Sequence, residues 1–223
     1  YYPSEFMACN LSSDLLNTDS IIKLLRNANL LKLHILAPNV NTSQSEFIAK
    51  KDKSLEYGLA AIKNVGYKST SRLVEYRNKN GEFKNIFDLC KVGSQSINKK
   101  VLESLIKAGA CDCLDGTRAQ QYSLIDAALK FGQKYQEESN SLQSNLFSNQ
   151  SLDATYNFPL LPNIDDWDET DRLNYEKAVL GFYLSGNPLE KHLYDLKTFT
   201  NFGVHDLQNI KLSQYKIGGR IFD

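Results

Sequence analysis

The stretch at positions 61–77 constrains the fold of this chain more than any other. Gly66 separates two short segments of helical character, and the second segment carries Lys68 and Arg72 in its first two turns. Glycine permits tight turns and a close approach of the backbone to another molecule. The pattern predicts a short helix, a tight turn at Gly66 and a second, basic helix that begins at the turn.

This arrangement resembles a helix-hairpin-helix motif. The second helix would present free N–H groups and its positive dipole end beside Gly66, and the lysines would add charge, which suits a phosphate ligand. Binding of that kind reads no bases and weakens with salt. Asn64 stands where such hairpins often have a further glycine, and a helical turn with solvated lysines is the alternative interpretation. The DNA-contacting residues predicted here are Lys63, Asn64, Val65, Gly66, Tyr67, Lys68, Ser69 and Arg72.

A second unit of the same kind is predicted at 87–110. Val92 and Gly93 form the turn, and an amphipathic helix follows that opens with Lys99 and Lys100 and is closed by Gly109. We predict that Lys99 and Lys100 contact DNA, while an ordinary core helix is the alternative interpretation of this stretch.

Charge is distributed unevenly along the chain. The 26 basic and 26 acidic residues cancel, but positions 61–134 hold 13 Lys or Arg against 7 Asp or Glu, whereas positions 137–176 hold 1 against 9. A basic middle that coincides with both hairpins favours an anionic partner such as nucleic acid.

The remaining patterns predict a mainly α-helical fold with tandem hairpins and a small β-hairpin insert at 33–59. Thr18 is expected to open an early helix as part of its cap, and no apolar run is long enough to span a membrane. Cytoplasmic residence is therefore the default expectation. The only methionine is Met7, and the last residues read like a strand just begun, so we expect a piece of a longer protein. The other helices are predicted at 4–16, 97–107, 117–129, 168–180 and 190–199.

No side chains form a convincing catalytic or metal site. An acidic group surrounds Trp167, but a helix start also prefers such residues, and this is the favoured interpretation. The three histidines are scattered, and one Cys-x-Cys pair without further ligands predicts reduced, partly buried thiols. The acidic residues are Asp165, Asp166, Asp168, Glu169 and Asp171, and the cysteines are Cys9, Cys90, Cys111 and Cys113.

Positions 137–162 lose helical periodicity in Ser, Asn, Gln and Asp and predict a linker. Within it, Gln143 is followed at the third and fourth positions by Leu146 and Phe147. An apolar pair of this kind can fill a pocket on a partner while glutamine fixes the register by hydrogen bonds. Packing of the pair on this chain's own surface is the alternative.

Taken together, the residues resemble the alpha subunit family of bacterial DNA polymerase III, the replicative C-family polymerases. The resemblance covers essentially the whole chain and rests on ordered blocks at 2–8, 35–41, 57–66, 98–110 and 180–189. Asn187 stands where that family usually has histidine.

The resemblance implies a division of the chain into five parts. These are a distal fingers segment with the β insert (1–58), the tandem helix-hairpin-helix region (59–136), a linker with a clamp-binding peptide (137–164), a C-terminal helical segment (165–215) and the start of an OB-like domain (216–223).

The resemblance also implies partners. Duplex DNA would be bound sequence-independently through its backbone, the beta sliding clamp would bind Gln143, Leu146 and Phe147, and other replicase subunits would join through the longer protein. That protein would use Mg²⁺ for nucleotidyl transfer on carboxylates located before Tyr1, so that this segment alone has no cofactor and no activity. Its location would be cytoplasmic and nucleoid-associated. The alternatives are a clamp-docking segment with purely structural hairpins, or a hairpin module of a repair nuclease or ligase.

Overall fold

The computed structural model describes residues 2–144, 158–200 and 216–219 and confirms a mainly α-helical chain with one small sheet. The helices are α1 (Pro3–Ser13), α2 (Thr18–Leu30), α3 (Tyr67–Asn80), α4 (Ile86–Cys90), α5 (Lys99–Lys107), α6 (Arg118–Ser123), α7 (Ile125–Ser144), α8 (Glu169–Leu180) and α9 (Leu193–Phe199). The strands are β1 (Ile35–Leu36), β2 (Ile48–Ala49) and β3 (Leu55–Glu56), and short 3-10 helices span Leu59–Ala61 and Glu190–His192.

The chain divides into two compact units, Tyr1–Leu184 and Ser185–Asp223. The predicted segments at 1–58 and 59–136 both contribute to the first unit, as does the start of the segment predicted at 165–215. In the second unit, residues 216–219 form no strand, and residues 220–223 of the predicted OB-like start lie outside the described residues.

The predicted strand and hairpin insert is present. β2 and β3 pair antiparallel, and β1 pairs parallel with β3 on its other edge, which gives the order β1-β3-β2. Lys50 closes the β2–β3 turn through its N–H to the carbonyl of Ser54 at 2.8 Å. Its ammonium also pairs with Glu56 at 2.8 Å, so that the carboxylate of this nearly buried residue is compensated.

In both predicted hairpins an α-helix follows the turn, α3 in the first and α5 in the second. The first has only the 3-10 turn Leu59–Ala61 before α3, where the sequence suggested a short helix. The second consists of α4 and α5, and Leu102 and Leu105 on the predicted apolar face of α5 are fully buried. Gly109 follows α5 in the left-handed conformation, with φ +76°, as its position predicts.

Several predicted boundaries differ in the structure. The helix predicted at 4–16 ends at Ser13, and the helix predicted at 190–199 is α-helical only from Leu193. The side chain of Asn17, rather than one in the Thr18 segment, caps α2 by accepting the N–H of Ser20 at 3.1 Å. The helix predicted at 117–129 is broken at Leu124 into α6 and α7. α7 then continues to Ser144, so the linker predicted from 137 is helical over its first residues, because polarity alone does not end a helix that already packs on one face.

The four cysteines are free thiols, as predicted, and two of them are buried. Burial raises the pKa of Cys90 to about 12 and also raises the pKa of Cys111 well above its usual range. Within the residues described, no helix is long and apolar enough to cross a membrane.

A buried arginine joins three parts of the first unit. Arg118 at the start of α6 donates to both carboxylate oxygens of Asp112 and, at 3.4 Å, to Glu176 on α8. Glu176 is 1% exposed and also accepts the N–H of Leu184 at 3.2 Å. Burial alone would lower the pKa of Arg118, but the two carboxylates outweigh it and raise that pKa. The guanidinium therefore stays charged and holds α8 against α6.

Replacing Arg118 with methionine should lower the free energy of unfolding by about 3–5 kcal/mol, because the buried carboxylate of Glu176 would lose the guanidinium that compensates its charge. Urea denaturation at neutral pH measures the change. Lys99→Met is the control, since it removes an exposed ion pair with Asp126 and should leave the midpoint almost unchanged. Equal midpoints for the two variants would contradict the structural role of Arg118.

Candidate nucleic-acid interface

The turn of the first hairpin spans Ile62–Val65. The N–H of Val65 donates to the carbonyl of Ile62 at 3.0 Å, and Asn64, the third residue of the turn, has φ +67°. A turn with positive φ at that position favours glycine or asparagine. The left-handed residue is therefore Asn64 and not Gly66, which has the ordinary extended values φ −80° and ψ 155°.

Gly66 instead is the N-cap of α3 and leaves that end of the helix uncovered. It has no side chain to accept the first-turn N–H groups, and a Cβ at this position would have no protein atom within 4 Å. The amides of Tyr67 and Lys68 belong to the first turn and have no intrahelical acceptor. The backbone at the start of α3 is thus accessible to an approaching anion.

Exposed charge lies on both sides of this helix start. Lys63 and Lys68 are exposed, as are Asn64, Gly66 and Tyr67 between them. Lysine ammonium groups next to free helical N–H groups form an arrangement that suits a phosphate.

Two of the residues predicted to contact DNA at the first hairpin, Val65 and Ser69, do not have exposed side chains. Val65 is 3% exposed and belongs to the core. Ser69 is half-buried, and its N–H donates to the carbonyl of Gly66 at 3.0 Å. The structure therefore brings together Lys63, Gly66, Tyr67 and Lys68 as the open face of the first hairpin.

The turn is held from two sides. The Asn64 side chain donates to Ser104 Oγ on α5 at 3.1 Å, and the Lys63 N–H donates to the carbonyl of Val179 near the end of α8 at 2.9 Å. Sequence reasoning missed both partners. Ser104 lies in an apolar helix face and Val179 acts through its backbone, so neither carries a signal in the pattern of residue types.

The second hairpin has a different helix start. Gly93 has φ +107° in its turn, as predicted, but the side chain of Asn98 caps α5 by accepting the N–H of Val101 at 3.0 Å. Lys99 pairs with Asp126 at 2.8 Å, and this hydrogen bond, with the charge of the carboxylate, raises the pKa of Lys99. Lys100 is exposed. The second hairpin thus offers less free positive charge and fewer free N–H groups than the first.

Arg72 faces the second hairpin. Its Nη1 donates to Gln95 Oε1 at 3.1 Å and to Ser96 Oγ at 3.4 Å. Arg72 was predicted to contact DNA, but its Nη1 instead joins the two hairpins.

Two of the five acidic residues around Trp167 accept hydrogen bonds from backbone N–H groups. Asp168 caps α8 by accepting the N–H of Asp171 at 2.7 Å, and Asp166 accepts the N–H of Ala119 at 3.1 Å. No cluster of three His, Cys, Asp or Glu side chains among the described residues has a geometry that could hold a metal ion.

The predicted clamp-binding peptide is described only in part. Gln143 lies in the last turn of α7, whereas Leu146 and Phe147 lie outside the described residues. The described chain resumes at Phe158, and the centroid of its ring lies 4.9 Å from that of Phe87 and 5.1 Å from that of Phe131. Both flanks of the peptide are therefore joined to the hairpin region.

Comparison with known proteins agrees with this geometry. The family model of the helix-hairpin-helix motif matches residues 32–121. The DNA polymerase III alpha subunit of Buchnera aphidicola from Schizaphis graminum is 37% identical over 90% of this chain. The alpha subunits of Xylella fastidiosa strain Temecula1 and Escherichia coli K12 are 36% and 31% identical over 88% and 89% of it.

The resemblance to the DNA polymerase III alpha subunit is confirmed. The matches cover 18%, 17% and 17% of these three relatives, so the chain spans less than a fifth of the alpha subunits that it matches. The region that matches the motif contains the sheet, both hairpins and the start of α6.

Replacing Gly66 with alanine should leave the stability of the chain almost unchanged. The new Cβ meets no protein atom, so the free energy of unfolding should stay within about 1 kcal/mol of the wild-type value. Thermal denaturation measures it. Gly58→Ala is the control, because its Cβ would lie 2.7 Å from the backbone carbon of Glu46 and should cost about 1–3 kcal/mol. A large loss of stability in Gly66→Ala would show that the position is internally packed.

Proposed function

We propose that this chain is the duplex-binding part of a replicative DNA polymerase and that it holds DNA by its backbone through the open face of the first hairpin. The single observation that carries the proposal is the uncapped start of α3, where Gly66 leaves N–H groups accessible between exposed Lys63 and Lys68. The motif match and the similarity to DNA polymerase III alpha subunits support the same assignment.

Binding would follow from electrostatics and shape without reading base edges. The N–H groups of Tyr67 and Lys68 would donate to phosphate oxygens, and the two lysines would replace condensed counterions. Such contacts are the same at every sequence, which suits a protein that moves along its product. The longer protein would add deoxynucleotides to a primer, with Mg²⁺ held by residues outside this chain.

The proposal predicts a specific salt response. Lys63→Glu/Lys68→Glu should bind a short labelled duplex about tenfold or more weakly at low salt, and the slope of log affinity against log salt should become shallower by about 2, since roughly 0.9 is lost for each phosphate contact. Fluorescence anisotropy over a salt series measures both quantities.

The matched control for this experiment is Lys23→Glu/Arg26→Glu, which makes the same charge change on exposed positions of α2. It should leave the slope nearly as in the wild type. If binding survives in Lys63→Glu/Lys68→Glu, the contact belongs elsewhere, with Lys100 of the second hairpin as the next candidate. If neither the wild type nor any variant binds duplex, the hairpins are structural.

We further propose that Gln143, Leu146 and Phe147 bind the beta sliding clamp. The support is the Gln-x-x-Leu-Phe pattern, together with its place in the sequence at the end of α7 and before Phe158, two segments that pack on the hairpin region. Attachment of a DNA-binding surface and a clamp-binding peptide to one body would raise the effective concentration of each for the clamp–DNA complex.

Replacing Gln143, Leu146 and Phe147 together with alanine should abolish retention of the chain on immobilised clamp, because the apolar pair and the register-fixing amide are both lost. A pull-down in the absence of DNA measures the effect. The control replaces Ser144, Asn145 and Ser148 with alanine, because these residues lie in the same segment but outside the Gln-x-x-Leu-Phe pattern. Unchanged retention of the first variant would refute clamp binding by this peptide.

A further inference from the structure

The two hairpins are joined by a reciprocal pair of polar contacts. Asn64 in the first turn donates to Ser104 on the helix of the second hairpin, at 3.1 Å. In the opposite direction, Arg72 on the helix of the first hairpin donates to Gln95 and Ser96, which precede α5 after the second turn. Each turn region is thus bound by the helix of the other hairpin.

Ser104 is the buried partner in the first of these contacts. It is 2% exposed and is followed on α5 by the fully buried Leu105. An alanine would fill that position equally well, so the packing of α5 does not require a hydroxyl group there. The hydroxyl oxygen accepts a hydrogen bond from an exposed residue whose backbone is left-handed. The contact therefore acts on the turn more than on the core.

We infer that Ser104 is a positioning residue for DNA binding: through Asn64 it sets the first turn relative to the second hairpin, so that both hairpins engage the duplex as one rigid unit. The inference rests on the proposed function. Fixing two backbone-binding elements in one orientation makes the second contact intramolecular once the first has formed. Loss of the crosslink would release the turn that carries Lys63 without removing any charge.

The test is a double-mutant cycle on duplex affinity with the 223-residue chain. Ser104→Ala removes the acceptor, and Asn64→Gly removes the donor while keeping a residue that readily adopts positive φ. Each should weaken binding of a short duplex about three- to tenfold, and the double variant should bind no more weakly than either single variant, because all three lose the same hydrogen bond. The slope against salt should also become shallower.

The control is Ser123→Ala, which removes a serine hydroxyl that bonds only within its own helix, to the carbonyl of Gln120 at 2.7 Å. Affinity is measured well below each variant's thermal midpoint, so that a purely structural contribution of Ser104 would leave it unchanged. The inference would be overturned if both Ser104→Ala and Asn64→Gly kept the wild-type affinity and salt slope. It would also be overturned if the losses of affinity in the two single variants multiplied in the double variant.

The same series separates this inference from the proposed function. Lys63→Glu/Lys68→Glu is included, and its unaltered binding would refute contact through the first hairpin altogether. Loss of binding in that variant, combined with unaltered Ser104→Ala and Asn64→Gly, would refute only the positioning role.

Discussion

The burial of Ile62 and Val65 shapes the first hairpin and most of what is attached to it. These residues are 1% and 3% exposed, and only two residues separate them. Because both ends of so short a segment are fixed in the core, Lys63 and Asn64 must form a turn that projects outward, with Asn64 in the left-handed region. The same constraint places Gly66 at the surface as the N-cap of the basic helix α3.

The two hairpins then differ although their sequence patterns are alike. The N-cap of α3 has no side chain, so the first N–H groups of α3 stay open, whereas the side chain of Asn98 accepts one of the corresponding N–H groups of α5. Lys99 also forms an ion pair with Asp126 on α7, which compensates its charge. The second hairpin also holds the first, since Ser104 accepts a hydrogen bond from Asn64 and Gln95 accepts one from Arg72.

The region around the two hairpins is discontinuous in sequence. α8 follows the linker, yet the carbonyl of Val179 accepts the N–H of Lys63, and Glu176 pairs with Arg118 at the start of α6. The chain packs on the hairpin region through α7 and again from Phe158 onward. This topology puts the clamp-binding peptide of the proposed function on a connection whose two flanks belong to the same compact unit.

The sequence alone predicts the helical class, the strand insert, the second turn and the resemblance to the alpha subunits, because these depend on local periodicity, on glycine at turns and on ordered blocks of residues. It places the first turn at Gly66, whereas the turn spans Ile62–Val65. It did not determine which turn residue is left-handed, the break at Leu124, the extension of α7, or the partners of Lys99 and Arg72. Only the tertiary structure decided these. They depend on which helix packs beside which, and contacts such as Asn64–Ser104 and Arg118–Glu176 join residues 40 and 58 positions apart.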